Sequence, residues 1–237
     1  MIETLNLTKK FGTKIAVNKL NLDVGKGELF GFLGPNAAGK TTTIKLLTGL
    51  LKPTEGLVKI FGYDIQKDYI KVKSRLSYIP DVPYLYEKLT AREFLRFVSE
   101  IYLIDGKDTE KKIEGFLEFF SLREYENILI EEYSHGMHQK VVIIAALIHN
   151  PDIIIVDEPM VGLDPKTTKL VKDIFKNSSK NGKTIFMSTH TLSLAEEICG
   201  RICIIDNGNL IAIGTLEELR KKSGIDGRLE EIFLKLT

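Results

Sequence analysis

The sequence predicts an α/β fold: a core with a mixed β-sheet, an N-terminal antiparallel β subdomain and an inserted α-helical subdomain. Three observations predict it. Short apolar, strand-like runs alternate with helical patterns up to about residue 87 and again after Pro151. Between residues 88 and 150 the apolar spacing is helical. A glycine-rich stretch, GPNAAGKTTT at 34–43, follows one apolar run and opens a helical one. We therefore read residues 1–237 as one domain, with 1–87 and 151–237 as the core and 88–150 as the helical subdomain.

Each element has its own signal. Ile2, Thr4 and Leu7, then Leu20, Leu22 and Val24, alternate as two strands around a turn near Gly12. GELFGFL (27–33) reads as a short buried strand. IKLLTGLL (44–51) places Ile44, Leu47 and Leu51 on one helical face, with Pro53 and Gly56 ending it. Val58 and Ile60 mark another strand. Thr90 and Glu93 form a capping box, each side chain satisfying an orphan donor of the first turn. Phe94, Phe97, Val98, Ile101 and Tyr102 follow at helical spacing, as do Ile113, Phe116, Leu117 and Phe120. IIIVDE (153–158) and TIFMST (184–189) read as fully buried strands. Asp164-Pro165 caps a helix, RICIIDNGNLIAIG turns as a hairpin at Asn207-Gly208, and Thr215 with Glu218 caps a C-terminal helix.

Composition narrows the class. The chain has 237 residues, 43% hydrophobic and 27% charged, the balance of a folded domain able to bury a sizeable core. A net charge of +1 provides no basic field for nucleic acid, and no nucleic-acid partner is expected. Cys199 and Cys203 are too few for a disulfide framework and fit apolar packing in a reducing compartment. The longest clearly apolar run, VVIIAALI at 141–148, is far short of the ~20 residues that span a bilayer.

The loop carries the chemistry. Gly34–Thr41 satisfies G-x-x-x-x-G-K-[ST] between a strand and a helix. Its amides and the helix N-terminus suit a polyphosphate, Lys40 the β- and γ-phosphates, and the Thr41 hydroxyl Mg²⁺. Asp157 ends an apolar strand, where its carboxylate suits Mg²⁺ through water. Glu158 follows it, pointing elsewhere by strand alternation, and suits activation of an attacking water. These pieces define a P-loop core for a nucleoside polyphosphate and Mg²⁺.

With these residues in place, the chain resembles the ATP-binding-cassette (ABC) family along nearly its whole length. The family's signature, usually Leu-Ser-Gly-Gly-Gln at the start of a helix, is matched by Tyr133-Ser134-His135-Gly136-Met137. A later loop is matched at Gly162-Leu163-Asp164-Pro165, the switch histidine at His190, and the adenine-stacking aromatic at Phe11. Three positions depart from the family. Ala37 stands where the phosphate loop usually has glycine, and a left-handed backbone there would cost alanine about 1 kcal/mol. His135 and Met137 replace glycine and glutamine in the signature. Asp81, in SYIPDVP, replaces a metal- and water-binding glutamine.

The resemblance implies an ATPase. ATP sits on Gly34, Pro35, Asn36, Ala37, Ala38, Gly39, Lys40, Thr41 and Thr42 with Phe11 on the base, and Thr41, Asp81 and Asp157 face Mg²⁺. Lys40, Glu158 and His190 are the catalytic set, Glu158 as base and His190 holding the γ-phosphate and water. Ser134, Gly136 and Asp164 complete nucleotide binding; this molecule's own phosphates are already held at 34–42, so the signature serves a neighbour. The implied partners are a second nucleotide-binding subunit, identical or not, and separate transmembrane permease subunits. The implied location is cytoplasmic, on the inner face of the membrane. Tyr84, Leu85 and Tyr86 are candidates for the docking surface, and the tail LEEIFLKLT with the YSHGM signature looks most like exporter-type (ABC-2-like) members. Two alternatives remain at this point: a non-transport ABC ATPase acting on nucleic acid or the ribosome, and, more distantly, a small-molecule P-loop kinase.

Overall fold

Strand alternation explains how one sheet comes to hold two hydrophobic layers apart. The computed structural model describes residues 1–237 with the exception of the side chain of Lys107. Strands β1 (Ile2–Phe11) and β2 (Lys14–Val24) pair antiparallel from Ile2↔Val24 to Phe11↔Lys14. The chain continues through β3 (Leu29–Leu33), α1 (Lys40–Leu47), β4 (Glu55–Ile60), β5 (Tyr63–Asp64), α2 (Tyr69–Lys73) and β6 (Leu76–Ile79). The inserted helices are α3 (Ala91–Ile101), α4 (Gly106–Phe119) and α5 (His135–Leu147), with two short 3₁₀ turns between the last pair. Then follow β7 (Ile153–Asp157), α6 (Pro165–Lys180), β8 (Thr184–Thr189), α7 (Leu192–Ile198), β9 (Arg201–Asp206), β10 (Asn209–Gly214), α8 (Leu216–Ser223) and α9 (Leu229–Leu236).

Two sheets result. An antiparallel one has the order β2-β1-β4-β5, and a mixed one the order β10-β9-β3-β8-β7-β6. In the mixed sheet β9, β3, β8, β7 and β6 run parallel, and β10 closes the edge antiparallel to β9. Because side chains alternate faces along a strand, Ile153, Ile155 and Phe186 join α1 and the antiparallel sheet on one side. Ile154, Val156, Ile185 and Met187 join α5, α6 and the inserted helices on the other. All these residues are buried. Parallel strands of this kind leave their ligand crevice at the carboxyl ends, where β3, β7 and β8 end at Leu33, Asp157 and Thr189.

The structure corrects several boundaries. Helix α1 covers Lys40–Leu47, earlier at both ends than 44–51. Gly49, at φ +68°, supplies the left-handed residue that ends it, and the Leu51 amide turns back to the Lys45 carbonyl. Leucine periodicity beyond that point reflects packing of the following turn. Strand β6 was unforeseen because LSYI is short and runs straight into a proline. The two cysteines are free and pack inward, and burial pushes the Cys199 thiol up to about 12 and raises that of Cys203 as well.

Candidate active site

The phosphate loop is shaped by backbone on both sides. A Cβ on Gly34 would collide with the Ile205 carbonyl oxygen, and one on Gly39 with the Ala16 carbonyl oxygen. Gly39 is also left-handed at φ +107°, so only glycine satisfies both conditions. The β9–β10 turn is stitched in by two main-chain bonds: the Gly208 amide donates to the Ala38 carbonyl at 2.9 Å, and the Asn18 amide to the Gly208 carbonyl at 2.9 Å. Ala37 does adopt the left-handed conformation, at φ +64°. The Lys40 ammonium is buried and donates to the carbonyls of Gly34 (2.7 Å) and Pro35 (3.0 Å). Burial pulls its pKa down, and Glu158 and then Asp157 work against that pull.

The acidic end is set by two buried hydroxyls that the sequence reading did not assign. Ser188, on β8, donates to Asp157 Oδ1 across the parallel pair, and Thr189 donates to Glu158 Oε2 at 3.1 Å. The signal was present in the polar Ser-Thr pair ending TIFMST. Asp157 Oδ2 is buried with no hydrogen-bond partner. Burial raises the Asp157 pKa, the Ser188 and Thr41 hydroxyls lower it, and Asp81 and Glu158 add to the rise. An orphaned buried carboxylate oxygen near a threonine hydroxyl is a donor set that fits a hard divalent cation. Glu158 points away from Asp157, but not by strand alternation. β7 ends at Asp157 and Glu158 turns left-handed at φ +48°. Its Oε1 lies 2.8 Å from His190 Nδ1.

These side chains share one cavity of about 670 Å³. Asn36, Ala37, Gly39, Lys40, Thr41 and Thr42 form one wall, with Asp157, Glu158 and His190 facing them. Phe11 also lines it, 49% exposed as a residue, with Lys9 Nζ 5.1 Å from its ring centroid. Asp81 contributes from the loop after β6, its Oδ1 accepting from the Val82 amide at 2.9 Å. Ser134, Gly136 and Asp164 are not in this lining. Ser134 caps α5, accepting from the Met137 amide at 3.3 Å, and Asp164 caps α6, accepting from the Thr167 amide at 2.9 Å. The Thr167 hydroxyl and amide hold the Asp164 carboxyl below its ordinary pKa. Asp81 also lines a second cavity of about 500 Å³, with Tyr78, Tyr84, Leu85, Phe94 and Tyr102. Tyr84 is 80% exposed, whereas Tyr86 packs edge-on against Phe97 and Leu85 packs on the apolar layer.

A phosphate loop after a central parallel strand, with two carboxylates at the end of the next-but-one strand, defines a P-loop nucleoside triphosphatase. A family model described as ABC transporter matches residues 17–161. The linearmycin resistance ATP-binding protein LnrL of Bacillus subtilis (strain 168) is 37% identical over 226 residues, covering 95% of this chain and 73% of that protein. A solved ATP-binding subunit of an ABC transporter superposes with a TM-score of 0.95 at 32% identity, covering 100% of this chain and 99% of the other. The dimeric post-hydrolysis state of the ATP-binding cassette MJ0796 bound to ADP and Pi gives 0.83 at 28% identity, covering 91% and 99%. The chain belongs to the ABC transporter family as an ATP-binding subunit, and it is an ATPase.

Proposed function

We propose that this chain is the ATP-hydrolysing half of an exporter-type transporter. Two nucleotide-binding subunits close head to tail over two Mg-ATP and drive separate membrane subunits from the cytoplasmic face. The observation that carries this reading is the division of the motif residues. Lys40, Asp157, Glu158 and His190 line one cavity, while Ser134 and Asp164, the caps of α5 and α6, and Gly136 in the first turn of α5 lie outside it. Such a cavity is half of a site. A helix N-terminus with an exposed cap hydroxyl, such as Ser134 on α5, suits the γ-phosphate bound by another subunit. The dimeric form of the MJ0796 cassette supports the pairing of two such subunits. Among the described residues no helix is long and apolar enough to cross a membrane. The aromatic cavity around Tyr84 suits their docking, and likeness to a linearmycin resistance protein supports export.

In this reading the loop amides and Lys40 hold the triphosphate, and Phe11 carries the adenine. Glu158 accepts the proton of the attacking water, and His190 holds that water and the γ-phosphate in line. Thr189 and His190, both hydrogen-bonded to Glu158, fix the direction of its carboxylate. Thr41, Asp157 and Asp81 are the residues that would hold Mg²⁺, which when bound offsets the phosphate charge. Catalysis by these residues is mainly positioning and charge stabilisation. Substituting Glu158→Gln keeps size and hydrogen bonding but removes the base. We expect ATP binding to persist, turnover to fall at least ~100-fold, and an ATP-dependent dimer to accumulate in light scattering. Wild-type turnover would remove Glu158 from the role of base.

A further inference from the structure

We infer that His135 is a positioning residue. Its ring keys the first turn of α5 into the loop that follows Glu158 in the same subunit. His135 is the first residue of α5, behind the Ser134 cap. Its ring occupies the notch left by the missing side chain of Gly162. A Cβ on Gly162 would overlap Cδ2 of the ring and stand 2.6 Å from Nε2. The start of α5 makes two more approaches to the same segment. A Cβ on Gly136 would stand 3.0 Å from the Gly162 carbonyl oxygen, and Lys140 Nζ lies 3.9 Å from Asp164 Oδ2. Between Glu158 and Gly162 the chain is short and internally bonded, with the Val161 amide donating to the Glu158 carbonyl at 3.4 Å. The Leu163 amide then donates to the Met160 carbonyl at 3.3 Å. His135 also lines the cavity that holds Glu158. A displacement of α5 is thereby passed through the imidazole to the segment bonded to the Glu158 backbone. A glycine at position 135 could not transmit it this way. The functional consequence rests on the head-to-tail reading above: α5 senses the neighbour's nucleotide, and His135 reports it to the subunit's own base.

Two measurements test this. The first is thermal unfolding of the nucleotide-free wild type, His135→Ala, Gly162→Ala and the double variant. Gly162→Ala should lower the midpoint more when His135 is present than when it is absent. Equal shifts in both backgrounds would overturn the contact. The second is steady-state ATP hydrolysis by the same four proteins. Each single variant should lose about 10- to 100-fold in kcat with KM for ATP within about twofold, the pattern of misplaced rather than missing chemistry. The double variant should be no worse than the weaker single, since neighbouring sites couple. Losses that multiply, or a wild-type kcat in His135→Ala, would overturn the positioning role. ATP-dependent dimerisation of Glu158→Gln is scored separately. Its absence would sink the head-to-tail reading while leaving the His135–Gly162 contact to the unfolding measurement.

Discussion

At the scale of single residues, positive φ angles mark where this chain departs from an easy backbone. Ala37 and Glu158 both sit in the left-handed region, at φ +64° and +48°, inside the site itself. Such conformations cost a non-glycine residue about 1 kcal/mol and persist where the surroundings over-determine them. For Glu158 the compensation is visible in its bonds to Thr189 and His190. Ala37 is exposed, with no side-chain bond to offset its strain. Ala37→Gly should therefore raise the thermal midpoint by about 2–4 °C, as ~1 kcal/mol does in a chain of this size. A lower midpoint in calorimetry would mean that glycine's extra freedom in the unfolded chain outweighs the relieved strain. The loop spacing and both carboxylates were legible in the sequence because each is a local pattern. The turn at Glu158 was not, because strand alternation alone already accounted for two carboxylates pointing apart.

At the scale of elements, the sequence reading succeeded where period and cap agreed. Thr90 and Thr215 form complete capping boxes with Glu93 and Glu218. It failed where an end is decided by distant neighbours, as with α1 and β6. Helix α5 illustrates a contact no local pattern could supply. Beyond its last turn, His149 stacks on Tyr102 of the inserted helices with ring centroids 3.6 Å apart, and its Nε2 faces the Ser77 hydroxyl of β6 at 3.3 Å. Burial, with a smaller contribution from the Lys183 charge, lowers the His149 pKa to about 4, against the Leu76 carbonyl, which favours the protonated ring. The unfolded chain has a value of about 6.5. Between those two pH values the unfolded state binds a proton that the folded state refuses, so stability falls as pH drops through the window and is fully present above it. His149→Phe keeps the stack and removes the proton. Urea unfolding from pH 7.5 to 4.5 should show a shallower pH slope for the variant, and identical slopes would dismiss the assignment.

At the scale of the whole molecule, the division of motif residues between one cavity and two helix caps makes a prediction about mixtures. A Lys40→Ala subunit lacks the phosphate-loop ammonium but keeps its Ser134. A Ser134→Ala subunit lacks the cap hydroxyl but keeps its loop. Each variant alone forms two defective sites. A mixed dimer contains one site with both defects and one with neither. Hydrolysis should recover on mixing to roughly a quarter of wild type, since about half the dimers are mixed and each has one intact site, under the coupling limits of neighbouring sites. No recovery in demonstrated mixed dimers would argue against shared sites. This level was legible in the sequence only through the resemblance, since a cap and a trans-acting signature look alike in one chain.

By chain position Asn207-Gly208 is a hairpin tip, the kind of place where insertions and labels are normally tolerated. Here its backbone is tied to the Ala38 carbonyl in the phosphate loop and to the Asn18 amide in β2. The length of that tip is therefore part of the nucleotide site. A protein engineer looking for a silent attachment point should leave it alone, and homologues that lengthen it must find another way to brace the loop.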